Sequence, residues 1–322
     1  MIDKERAGWI YQMMNDIRAF ETKALYLFEN NMLRGSVHLY IGEEAIAATV
    51  CSHLTDQDYI TSTHRGHGHC LAKGADMNMA MAELMGKATG YCKGRGGSMH
   101  IADFTKGNLG ANAIVGGGIP IAVGAALALK MRESTHVAVS FFGDGASNQG
   151  TFHESLNMAS IWKLPIIFVC ENNGYGISVP VSQSTSVEDI SVRGTAYDIP
   201  GITVDGNDVE EIDKAISIMI DRARKGEGPS LLECKTYRWL GHWTGDPQTY
   251  RTRKEVDSWK ERCPIKQYRA KLLRDGTFDA STLDAMEQSS IEKADEAANF
   301  ALNSPEPDPA HVTDDVFYEE AN

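Results

Sequence analysis

Two turns separated by a single helix constrain this chain more than any other feature. The segment HVAVSFF is a largely apolar run of strand length that ends in Gly143-Asp144-Gly145. TFHESLNMASIWK then shows helical spacing, and PIIFVCE is a second buried run, leading into Asn172-Asn173-Gly174-Tyr175. Such a unit predicts two parallel strands joined by a right-handed crossover, so that both turns open on one edge of the sheet. ITVDG, a helix over 209–225 and SLLECKTYR continue the alternation. The fold class expected is α/β, a mainly parallel sheet flanked by helices.

The rest of the chain adds helices at both ends. Trp9, Ile10, Met13, Met14, Ile17, Phe20, Ala24, Leu27 and Phe28 recur at helical spacing, which predicts a long amphipathic helix over about 3–31. Another helix follows Gly42 in EEAIAATVCSHL, and DMNMAMAELMGK reads as a third, its methionines filling core. Beyond residue 253 the pattern is mostly helical until SPEPDP, where proline spacing ends the last helix and suggests an extended arm. We expect one domain over 1–322, with an N-terminal helical segment to residue 34 and a helical tail from 254.

Composition narrows the function. A formal net charge of −13 argues against general nucleic-acid binding, which needs clustered Lys and Arg. The stretch 107–129 is uncharged and long enough to span a membrane, but six glycines, Pro120, Asn108 and Asn112 favour a buried loop and helix. The six cysteines are widely spaced and contain no C-x-x-C pair. With an N-terminus that reads MIDKERAG, a reducing cytoplasm is the expected location.

The paired turns carry the chemistry. In parallel sheets ligands bind beyond the carboxyl ends of the strands. Asp144 offers a hard anionic oxygen and Asn173 a neutral one, a set that suits magnesium completed by water and phosphate oxygens. Gly145 lets a phosphate approach the backbone, and the helix after it is expected to turn N–H groups toward the anion. Alone, GDG is an ordinary tight turn. Followed one crossover later by a turn with two asparagines, it points to thiamine diphosphate with a divalent metal.

At these residues the sequence resembles a known family. GDGASNQGTFHE and WKLPIIFVCENNGYG, with the upstream HLYIGEEA, STHRGHG and GRGGSMH, are similar to the alpha subunits of thiamine-diphosphate-dependent 2-oxo acid and acetoin dehydrogenases. The resemblance spans about 35–260. It implies a thiamine-diphosphate-binding fold in which Asp144, Asn173 and the main-chain oxygen of Tyr175 bind Mg2+ and Gly145 and Ala146 contact the diphosphate. It also implies that His64 and Arg65 stand at the phosphate end, and that Ala113 and Val115 meet the aminopyrimidine ring. Trp243 stands where mitochondrial pyruvate members carry a phosphorylatable serine, so regulation by phosphate there is not expected.

His242 lies in TYRWLGHWTGDPQTYR, an aromatic, Gly- and Pro-containing loop after a predicted strand, and is the first candidate for proton transfer. It resembles the family's catalytic loop histidine, and His38 the one on the opposite wall. Glu43 and Glu44 open a helix and read as partners of its dipole. No acidic residue matches the family's activating glutamate, which lies on a beta subunit. The resemblance therefore implies half of an interfacial site in an assembly of two alpha and two beta chains, with a lipoyl acyltransferase core as a further possible partner. Its motifs look more like those of acetoin-cleaving members than of the pyruvate enzymes, which implies release of acetaldehyde and transfer of an oxidised two-carbon unit to lipoamide or another acceptor. The alternative is a pyruvate or branched-chain 2-oxo acid dehydrogenase.

Overall fold

Five strands, each hydrogen-bonded in parallel to its neighbours, organise the molecule. They are β1 (Tyr59–Thr61), β2 (Ala138–Gly143), β3 (Ile166–Asn172), β4 (Gly201–Asp205) and β5 (Ser230–Lys235), in the order β1-β2-β3-β5-β4. The computed structural model describes residues 2–33, 35–314 and 316. Central strands are covered on both faces, which is why they read as continuous apolar runs. Side chains alternate across each strand. Val139 and Phe141 of β2 join Ile167 and Val169 of β3 in one core cluster, while Ala138 and Phe142 join Ile166, Phe168 and Cys170 in another.

Helices close both faces. α1 (Lys4–Glu29), α2 (Glu44–Cys51), α3 (His67–Ala72) and α4 (Met77–Leu84) lie in the first cluster, together with α7 (Val209–Arg224). α5 (Gly118–Met131) and α6 (Gly150–Ile161) build the second. α7 shows how sequence dictates this. Val209, Ile212, Ala215, Ile216, Met219, Ile220 and Ala223 are buried at helical spacing, Asp208 caps the backbone N–H groups of Glu210 and Glu211, and Arg222 and Arg224 stand at the dipole's negative end.

The C-terminal helices α8 (Arg253–Glu261), α9 (Pro264–Arg274) and α10 (Ala280–Asn303) follow, with α10 packed along α1 and α4. The segment after α10 is not a free arm. Ala88 donates its N–H to Pro305 O at 3.0 Å, and residues 309–311 form a 3-10 turn. Of the two terminal segments expected from sequence, Met1, Arg34, Asp315 and residues 317–322 lie outside the described residues. No described helix is long and apolar enough to cross a membrane. The 107–129 stretch instead supplies a loop and α5.

Candidate functional site

The site forms at the carboxyl edge of the sheet. Gly143 of β2 pairs with Glu171 of β3, so Asp144 and Asn173 leave neighbouring strands side by side. Asp144 is 2% exposed, and its Oδ2 is buried without a hydrogen-bond partner. Burial pushes its carboxyl up to about 6, opposed by its backbone hydrogen bonds and by the positive charge of Arg238. The helix expected from TFHESLNMASIWK follows the glycine after one intervening turn. Residues Asp144–Asn148 form a 3-10 turn, and α6 begins only at Gly150. Ser147 Oγ donates to Asp144 O at 2.7 Å, and Arg193 donates to Ser147 O and Asn148 Oδ1, so the turn is held tight before the chain extends at Gln149.

Asn173 is 8% exposed and donates through Nδ2 to Glu43 Oε1 at 2.9 Å. Glu43 therefore does more than face a helix dipole, which corrects the reading from sequence. It occupies the N-cap of α2 but makes no side-chain cap bond, is 1% exposed, and also approaches Arg65 Nε at 3.4 Å. Burial raises its carboxyl while Arg65 opposes the shift. Glu44, equally buried, accepts from Arg18 Nε and Gly42 N. Both carboxylates turn inward because α2 starts beneath the segment that leaves β5. Gly42 has φ +107°, and a Cβ there would stand 2.4 Å from Tyr237 O, so only glycine allows this crossing.

That crossing brings the histidines together. Trp239 N donates to Ile41 O at 3.1 Å and Thr244 N to Val37 O at 3.0 Å, zipping two segments about 200 residues apart in sequence. The rings of His38, His64 and His242 stand with each pair of centroids 5.0 Å apart. Burial first, and then the charge of Arg65, lowers all three: His38 to about 3, His242 to about 4, and His64 well below its ordinary value. They are neutral imidazoles at neutral pH, each with one N–H donor and one acceptor nitrogen. Nδ1 of His38 and of His242 is buried without a protein partner. The loop carrying His242 is well anchored: Asp246 accepts from His242 N and Tyr250 Oη, and Arg251 donates to the carbonyls of Arg238, Trp239 and Leu240.

A cleft of about 270 Å³ opens here, lined by His64, Val115, Gly145, Ala146, Gln149 and His242 among others, while Asp144, Asn173, Tyr175 and His38 are not among its lining residues. Asn112, Ile114 and Val115 reach it, whereas Ala113 is not among the lining residues. Arg65 lies beside it but uses Nη1 on Leu39 O (2.5 Å) and Nη2 on His242 O (3.1 Å), so in this structure it ties the two histidine-bearing segments together. Sequence reasoning passed over one further cation. Arg238, 2% exposed, donates to the main-chain oxygens of Tyr175 (3.0 Å) and Ile177, and its charge reaches Asp144, His64 and His242. Its position three residues beyond β5, on the same carboxyl edge, was the available signal.

The residues present fit a cation–diphosphate pair. A buried carboxylate oxygen with no partner is costly unless a cation reaches it. Among the described residues no group of three or more His, Cys, Asp or Glu side chains is placed to cage a metal, so a cation would draw on Asp144, neutral oxygens and its own ligand. Two buried arginines, three imidazoles and the close-packed glycines at 145 and 176 suit an anion beside it.

The model of the family described as "Dehydrogenase E1 component" matches residues 12–310. The alpha subunit of acetoin:2,6-dichlorophenolindophenol oxidoreductase from Bacillus subtilis is 51% identical over 98% of this chain and 95% of its own length. Its counterpart from Cupriavidus necator is 45% identical over the same shares. The alpha subunit of the pyruvate dehydrogenase E1 component from Porphyra purpurea is 40% identical over 95% of this chain and 91% of its own. With the match running through every strand of the sheet and both of the turns at its carboxyl edge, this chain belongs to the dehydrogenase E1 component family.

Proposed function

We propose that this chain is the alpha subunit of a thiamine-diphosphate-dependent dehydrogenase that cleaves acetoin, releasing acetaldehyde and passing an oxidised two-carbon unit to lipoamide or another acceptor. The observation that carries the cofactor reading is the buried, partnerless Oδ2 of Asp144 at the carboxyl edge of a parallel sheet. Asp144, Asn173 and the Tyr175 main-chain oxygen would hold Mg2+, with Tyr175 O exchanging its bond from Arg238 for the metal. Gly145 and Ala146 would face the diphosphate, His64, Arg65 and Arg238 its charge, and Ala113 and Val115 the aminopyrimidine.

Thiamine diphosphate, when bound, supplies the carbanion and the electron sink for cleaving a bond next to a carbonyl. The protein's part is electrostatic and positional. His242, a neutral imidazole on an anchored loop, donates one N–H to charge developing on oxygen and can accept a proton at its other nitrogen. His38 does the same from the opposite wall. Acetoin brings no carboxylate, and a site of neutral imidazoles and apolar walls suits it. The 51% and 45% identities to acetoin enzymes, against 40% for a pyruvate enzyme, support that choice of substrate.

Glu43 and Glu171 do not line the cleft and are already engaged, Glu43 by Asn173 and Glu171 by Tyr40 and His69. This supports an activating glutamate contributed by a beta subunit. So does the start of α5, whose Gly118 and Ile119 line the cleft and whose Ile121 is exposed, as are Ile114 and Val115 before it. The proposed assembly has two alpha and two beta chains, can serve a lipoyl acyltransferase core, and resides in the cytoplasm, where all six thiols stay free.

Thiamine diphosphate titrated calorimetrically with and without Mg2+ tests the cofactor reading. Asp144→Ala is expected to weaken metal-dependent binding at least about 100-fold, because two phosphate charges lose their bridging cation. Unchanged affinity contradicts it.

A further inference from the structure

We propose that Glu43 is a positioning residue that serves both ends of the site, orienting the Asn173 amide toward the metal and holding Arg65 against the two loops that carry His38 and His242. The inference rests on the metal reading above and adds a residue to which that reading gives no part.

Glu43 is 1% exposed and its side chain makes no cap bond to its own helix. Its carboxylate is divided between two partners. Oε1 accepts from Asn173 Nδ2 at 2.9 Å, which commits the amide nitrogen and leaves Asn173 Oδ1 with only a long 3.4 Å contact from Tyr175 N. An amide with its nitrogen so fixed presents oxygen on the other side, the atom a hard cation requires. Turned over, it would present N–H groups to the metal.

Oε2 makes an ion pair with Arg65 Nε at 3.4 Å and no hydrogen bond. The guanidinium is planar, so fixing its Nε edge fixes where both Nη atoms point. They point at Leu39 O, adjoining His38, and at His242 O. One buried carboxylate thus joins a proposed metal ligand to the main chain of both histidine segments. Outer partners of this kind typically set affinity by 10–100-fold without touching the ion.

Two substitutions separate the two tasks in the alpha–beta assembly. Glu43→Gln keeps an oxygen for Asn173 but turns an NH2 toward the Arg65 edge. Glu43→Leu keeps bulk and removes both acceptors. The measurements are the Mg2+ midpoint for thiamine diphosphate binding, hydrogen exchange over 238–246, and kcat with KM. For Glu43→Gln the Mg2+ midpoint is expected within about 3-fold of wild type, with faster exchange in the loop and kcat reduced about 10-fold at little change in KM. For Glu43→Leu the midpoint is expected to rise about 10-fold or more, with the same loosening of the loop. Wild-type midpoints and wild-type exchange in both variants overturn the proposal. So does an equal loss of metal binding in both, which marks a general packing role. Metal-independent binding by the wild-type protein would instead overturn the cofactor reading itself.

Discussion

At the scale of single residues, two of the proposed roles have separable consequences. His242→Ala leaves Asp144, Asn173 and both arginines in place, and the bond from Arg65 goes to the main chain of residue 242. Turnover is therefore expected to fall by a factor of about 100 or more while thiamine diphosphate affinity stays within a few-fold, as for a group that acts on charge developed during reaction. Equal losses in both would make His242 a binding residue only.

The depressed histidines also set a pH dependence. Their folded values, about 3 for His38 and about 4 for His242, lie below the ordinary histidine value, so the unfolded chain binds more protons once pH drops beneath about 6.5. Stability from this source is complete above that value and is lost as pH falls toward 4. Asp144, raised to about 6, pulls the opposite way, so the comparison is made between proteins. The melting temperature of His38→Asn is expected to fall less steeply than that of the wild type between pH 6.5 and 4. An identical slope would show that His38 is freely protonated in the folded chain.

Sequence made some of these residues legible and hid others for a physical reason. Asp144 and Asn173 sit in turns of one local β-α-β unit, where spacing alone places them together. Glu43 and Asn173 are 130 positions apart, and their contact depends on α2 passing under the segment after β5, which no local pattern encodes. Arg238 is hidden likewise, because its bonds to the main chain of Tyr175 and Ile177 join segments about 60 residues apart.

At the scale of elements, β2 and β3 were legible as continuous apolar runs bounded by turn residues, and α1 and α7 as stripes of helical period. The short stretch between Gly145 and α6 was not, since its 3-10 turn is held by Arg193 from a distant segment. α5 departs from the amphipathic pattern in a way that matters. Ile119, Ala122, Val123, Ala126 and Leu129 are buried, yet the opposite face also bears Ile121 and Met131, and a Cβ at Gly124 would meet nothing within 4 Å. An apolar outward face beside the cleft is expected to be covered in the assembly. Ile121→Asp, a change on a 48% exposed side chain, should leave circular dichroism and melting temperature close to wild type while abolishing association with the beta chain by sedimentation. Undiminished association would place the interface elsewhere.

At the scale of the whole molecule, the site is open where another chain would complete it. Arginines, imidazoles and Asp144 provide for an anion and its metal, but Glu43 and Glu171 are bound to other groups. The isolated chain is accordingly expected to bind cofactor without turning over. The most direct measurement is acetoin-dependent reduction of an artificial electron acceptor, with acetaldehyde release followed separately, by the alpha chain alone and with its beta partner, in the presence of thiamine diphosphate and Mg2+. Activity is expected only from the pair, with acetoin preferred over pyruvate in kcat/KM and acetaldehyde formed in step with acceptor reduction. Full turnover by the chain alone, or faster use of pyruvate with no acetaldehyde from acetoin, would contradict it.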